Sequence, residues 1–302
     1  MHHESVLIHE RSAVFCAPDL PERNLEFLRG LDGGYYEHVA TSQARYLEVE
    51  ESAQYGAAAL RIALETGTET LLALVCAGMQ APHCVVGWML SYTNWELRPM
   101  IRSIASTSPP SVAEPFTADW RDFSDRVLSV VELEPTRRQW LVKGFGTFWE
   151  RLAQSHLDPL AQEEYNALKH GARVQLGGVS LSIGRQTSPD VPAPPEKMRL
   201  AAHSEFGSTF FRGEKLTKGH QSIRRVSINW RPLEMARALV LIAMSIENVS
   251  SFLRIINDDP EECRFSYPSE PTAFDLLGRP IGRSASFAID FTASPHDIPP
   301  PT

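Results

Sequence analysis

The chain has 302 residues, 43% hydrophobic and 22% charged, with a formal net charge of −8 and a pI near 5.7. These values are those of a globular protein with room for a sizeable core in one large or two ordinary domains. The acidic balance excludes a general binder of polyanions, although a local basic face can coexist with it.

From the N-terminus, the mix of His2, His3, Glu4, His9 and Glu10 is unlike a signal peptide. The apolar run from Ser12 to Cys16 reads as a strand. Leu25, Phe27, Leu28 and Leu31 read as a short helix ended by Gly33 and Gly34. Tyr55, Ala58, Ala59, Ile62 and Ala63 recur at helical spacing, with Gly67 as a stop. A second helix is expected over 70–80, and a third after Pro82 running on to Ser106 with a kink at Pro99.

The 26 residues of 70–95 carry no charged side chain and are long enough to span a bilayer. Gln80, Pro82 and His83 at mid-depth make that costly, so two buried core helices are the expectation. The segment 106–115 reads as a linker, and further helices are expected over 120–131, 135–154 and 159–170. Pro135 and Pro159 sit in first turns, with Asp158 as an N-cap.

After Gly171 the period changes. Val174 and Leu176, then Gly177-Gly178, then Val179, Leu181 and Ile183 give a hairpin pattern. Val226, Ile228 and Trp230 alternate as a further strand, 231–257 is a long apolar helix, and Phe287, Ile289 and Phe291 mark a late strand. His296 to Thr302 reads as a disordered end. The expected fold is α+β and predominantly α. It comprises a mixed segment 1–50, a helical bundle 51–170, a basic β insertion 171–230, a returning helix 231–257 and an irregular tail 258–302.

Cys16, Cys76, Cys84 and Cys263 contain no CxxC pair and read as reduced, mostly buried thiols of a cytosolic protein. Neither His83-Cys84 with Cys76 nor His203 with Glu205 has a metal-site spacing, so no metal is expected. No cofactor is expected either, since phosphate-loop, dinucleotide and nucleophile-elbow motifs are missing.

Two constellations bear on function. The first is Tyr165-Asn166-Ala167-Leu168-Lys169-His170-Gly171, followed by Arg173. Asn166 and His170 stand one helical turn apart, and Lys169 and Arg173 add positive charge. A plain helix ending explains the same residues, because Lys and His suit a last turn and Gly the residue after it. The second runs from Lys197 to Arg231. There Lys197, Arg199, Arg212, Lys215, Lys218, Arg224, Arg225 and Arg231 face only Glu205 and Glu214, a local charge of +6. Phe206, Phe210 and Phe211 interleave aromatics that can stack on bases. RNA, an acidic protein partner or the protein's own acidic body would each satisfy this charge.

The N-x-x-K-H-G helix ending in a helical body resembles the HEPN class of prokaryotic helical domains. That resemblance implies a self-associating helical bundle of a defence or toxin-type system. Members commonly cleave RNA with an Arg, then four to six intervening residues, then a His, without a metal. The His would be His170, but Glu163, Glu164 and Tyr165 stand where the Arg belongs. The expected function is therefore a cytoplasmic binding or interaction module, catalytically degenerate, with Lys169, Arg173, Lys215, Lys218, Arg224 and Arg225 as contacts. The alternative is a ribonuclease with His170 as acid or base, oriented by Asn166. A structural subunit of a larger complex is the third reading.

Overall fold

The computed structural model describes residues 2–8, 11–105, 119–170, 173–185, 188, 191, 193–217 and 220–289. The expected linker at 106–115, Gly171, Lys218, Phe291 and the end from His296 lie outside them. Helices dominate, beside small antiparallel sheets, as the α+β reading requires.

The chain opens with β1 (His2–Ile8) paired antiparallel to β2 (Arg11–Ala17), then α1 (Leu20–Arg29). Gly30 closes α1 by donating its N–H to the Glu26 carbonyl. The Gly33-Gly34 pair opens a helix rather than ending one, since α2 runs over Gly34–Tyr46.

The expected stop at Gly67 does not exist. α3 is continuous over Ala53–Gln80. A Cβ on Gly67 would stand 3.0 Å from the Tyr36 ring and 3.2 Å from Ile242, so glycine there permits close approach of neighbouring elements. The chain breaks at 81–84 and resumes as α4 (Val85–Ser91) and α5 (Asn94–Ala105). The expected single helix over 82–106 is divided because Thr93 and Glu96 form a capping box. The Thr93 N–H donates to Glu96 Oε2, and the Glu96 N–H makes a long 3.4 Å bond to Thr93 Oγ1. Pro99 lies inside α5 without ending it.

α6 (Trp120–Leu128), α7 (Pro135–Leu157) and α8 (Pro159–Lys169) follow as expected, two of them opening on proline. Asp158 caps α8 through the Leu160 N–H at 2.9 Å. After the β elements, α9 (Pro232–Ile255) packs against α2 and α3, and the short α10 (Thr272–Asp275) leans on α7. α3 and α9 are each long and apolar enough to cross a membrane, yet 78% and 72% of their most apolar windows are buried within the protein. They are core helices facing each other, where each buried Leu or Ile contributes about 1.5–3 kcal/mol.

The expected Gly-Gly hairpin is also absent. β3 (Val174–Leu176) pairs with β6 (Gly207–Thr217), whereas β4 (Leu181–Ile183) pairs with β5 (Arg199–Ala202). Gly177 and Gly178 instead donate their N–H groups to the carbonyls of Gly207 and Glu205. A Cβ on Gly178 would lie 2.1 Å from the Ser204 carbonyl oxygen, so the chain crosses between two sheets where only glycine fits. β7 (His220–Trp230) and β8 (Arg283–Ile289) complete an antiparallel sheet of order β3-β6-β7-β8. The inner face of that sheet, with Phe210, Val226 and Ile228 buried, closes over α3 and α8.

Candidate functional site

Beneath the sheet lies a buried charge cluster that carries the geometry above it. Arg61 of α3 is fully buried and donates from Nε to Glu164 Oε2 at 2.9 Å; its Nη1 stands 2.6 Å from Glu65 Oε1. The other Glu164 oxygen accepts from Ser208 Oγ and from Trp230 Nε1. One carboxylate thus ties α3, α8, β6 and β7 together. Burial alone would lower the Arg61 pKa, but Glu65 and Glu164 hold it above its ordinary value. Burial pushes the Glu65 carboxyl up, against the opposing pull of Arg61.

The Arg61 guanidinium is buried between two carboxylates, so it cannot take hold of a ligand phosphate.

The helix ending itself is on the surface. Asn166, Lys169, His170 and Arg173 are all exposed. His170 is the C-cap residue, and its backbone N–H donates to the Asn166 carbonyl at 3.2 Å. Its imidazole makes no hydrogen bond or ion pair among the described residues, and neither does the Asn166 amide. Asn166 and His170 thus share an exposed helix end, joined there by this backbone bond. Lys169 turns back over the Tyr165 ring, its Nζ 5.8 Å from the ring centre.

The two constellations meet on the sheet. Val174 pairs with Phe210 and Phe211 with Arg225, so Arg173, immediately before β3, comes level with Phe211. Phe211 and Arg225 form a row across β6 and β7, which the β3 register extended by one residue continues to Arg173, and Ile223 stands two residues along β7 on the same face. All four are exposed, Phe211 by 70% and Ile223 by 74%. An aromatic between two guanidiniums on an open sheet face offers one planar stacking surface and two phosphate ligands.

The remaining basic residues divide. Arg212 and Arg224 pair across the hairpin on the opposite side of the strands. Arg212 reaches Glu163 of α8 at 3.3 Å, which is the internal docking that the charge pattern also allowed. Arg231 is held by Glu234 at 3.2 Å. Lys197 and Arg199 are exposed away from the Phe211 row, beside β4. Lys215 takes its place in β6 opposite Gln221, but its side chain, like Lys218, is outside the described residues.

The cysteines are free, with Cys76 and Cys84 buried and Cys16 exposed; burial pushes the Cys76 thiol up to about 12. His203 bonds Ser180 and His83 bonds Asn257, and among the described residues no three His, Cys, Asp or Glu side chains gather as a metal site would need. Sequence reasoning missed the Arg61–Glu65–Glu164 cluster. The available signal was Arg61 and Glu65, four residues apart inside an otherwise apolar helix, where a charged pair costs too much to be there without a third partner. Comparison with family models, characterised proteins and solved structures yields no match for this chain.

Proposed function

We propose that this protein is a cytoplasmic, non-catalytic binding module that holds single-stranded RNA against the outer face of the β3-β6-β7-β8 sheet. The observation carrying this reading is the exposed Arg173–Phe211–Arg225 row. A base stacks on Phe211 while the flanking guanidiniums take successive phosphates. Lys169 and His170, just before that row in the chain, would extend the contact along the strand. Glu163, Glu164 and Tyr165, standing where a cleaving HEPN-type motif would carry its Arg, favour binding over cleavage in a catalytically degenerate HEPN-like body.

Fluorescence anisotropy with a labelled uridine oligonucleotide tests the reading. Phe211→Ala should weaken binding by about 1–3 kcal/mol, and Arg225→Glu should lower the salt slope by about 0.7. Equal binding by wild type and both variants overturns the assignment, as does tight capture of a polyglutamate peptide in place of RNA. The exposure of His170 beside Lys169 favours a second reading, ribonuclease action with His170 as acid or base. Oligonucleotide cleavage by wild type that disappears in His170→Ala would establish it instead.

A further inference from the structure

Away from the sheet face, the end of α7, Asp158 and the turn before β8 form an open cavity of about 290 Å³ lined by Arg151, Gln154, Ser155, Asp158, Arg279 and Arg283. Three guanidiniums and the Asp158 carboxylate line it, with Asp275 and Glu150 within electrostatic reach of Arg151. Asp158 engages one of the guanidiniums, that of Arg283, through Oδ2 at 2.7 Å. Arg283 is only 6% exposed, and its Nε has no hydrogen-bond partner among the described residues. The buried Nε of Arg151 is likewise unpartnered, while its Nη1 reaches the carbonyls of Phe274 and Leu277 only at 3.5 and 3.4 Å. Buried donors of this kind are costly to leave unpaired.

The walls are preorganised. Arg151, Gln154, Ser155 and Asp158 succeed one another at helical spacing along α7 and its end. The turn carrying Arg279 is pinned because Glu234 Oε1 accepts the N–H groups of both Gly278 and Gly282, at 2.7 and 2.9 Å. Burial first, and then the charge of Arg279, hold Arg151 below its ordinary pKa, against the opposing pull of Asp275 and Glu150.

We propose that this cavity is a binding site for the phosphate monoester of a small molecule, with Arg151, Arg279 and Arg283 as the phosphate ligands. Guanidinium forks suit the oxygens of a phosphate dianion. Gln154 and Ser155 are placed to bond hydroxyls on the ester's organic part. The volume fits a sugar phosphate.

Isothermal titration of the full chain with ribose 5-phosphate, inorganic phosphate and malate tests the assignment. Ribose 5-phosphate should bind saturably at one site, more tightly than inorganic phosphate, and malate should bind weakly. Arg279→Ala, a change at an exposed position, should weaken ribose 5-phosphate by at least about tenfold, equivalent to about 1.4 kcal/mol. Arg279→Lys should fall between the two, and Arg225→Glu on the sheet face should bind as wild type does. No saturable binding at millimolar ligand, equal affinity in Arg279→Ala with an unchanged circular dichroism spectrum, or malate binding as tightly as ribose 5-phosphate would each overturn it.

Discussion

Arg61 is fully buried and pairs with two buried carboxylates. Its replacement by Ala leaves Glu164 and Glu65 buried without their paired guanidinium, with only the charge of Arg283 still acting on Glu65, so we expect a loss of about 3–5 kcal/mol in urea unfolding at neutral pH. A carboxyl whose folded pKa is raised stabilises the fold below its unfolded value, and that contribution fades as pH rises through the folded value. The gap between Arg61→Ala and wild type should therefore narrow as pH falls below 5 or so, towards the ordinary carboxyl range. A gap independent of pH would mean that the carboxylates find other partners.

His156, near the end of α7, offers a second residue-scale test. Burial first, and then the charge of Arg98, pull its pKa down to about 4. Arg98 itself donates to the carbonyls of His156 and Leu157 and so occupies the helix end that would otherwise favour a protonated imidazole. A depressed histidine contributes stability that is complete above its unfolded value and lost as pH falls through the folded one. Stability should decline between about pH 6.5 and 4, by up to about 3 kcal/mol from this group. His156→Gln should flatten that part of the profile, and an unaltered slope would remove His156 as its cause.

At the scale of elements, helices bounded by side-chain caps and prolines were legible, and elements defined by distant partners were not. α7 and α8 open on Pro135 and Pro159 after capping carboxylates, all local signals. β6 was not read as a strand because Phe210 and Phe211 are adjacent. One is core and the other surface, which hides the alternation until β7 is in place. The Gly177-Gly178 pair misled for the opposite reason, since a close approach to the chain near Ser204 leaves the same glycine signature as a tight turn. The division between α4 and α5 was written in the sequence as Thr93 and Glu96 but was outweighed by apolar periodicity. Thr93→Ala should destabilise the protein by about 1 kcal/mol in thermal or urea unfolding. No measurable change would mean that the break at Tyr92 is imposed by packing alone.

For the whole molecule, composition and period gave the class, while the site required the sheet register. The residues of the row are Arg173 from the helix-ending constellation, and Phe211 and Arg225 from the basic segment. They are far apart in the chain and meet only because β3 and β7 flank β6. Asn166 and His170, the pair with the sharper motif, turned out to be an exposed helix end.

The most direct test of the binding claim is ultraviolet cross-linking of the full chain to a uridine oligonucleotide, with the modified residue located by mass spectrometry. The expected result is a cross-link at Phe211 that weakens steeply with salt and is lost in Arg225→Glu. A cross-link confined to another part of the chain, with the Arg173–Phe211–Arg225 row unmodified, would contradict it.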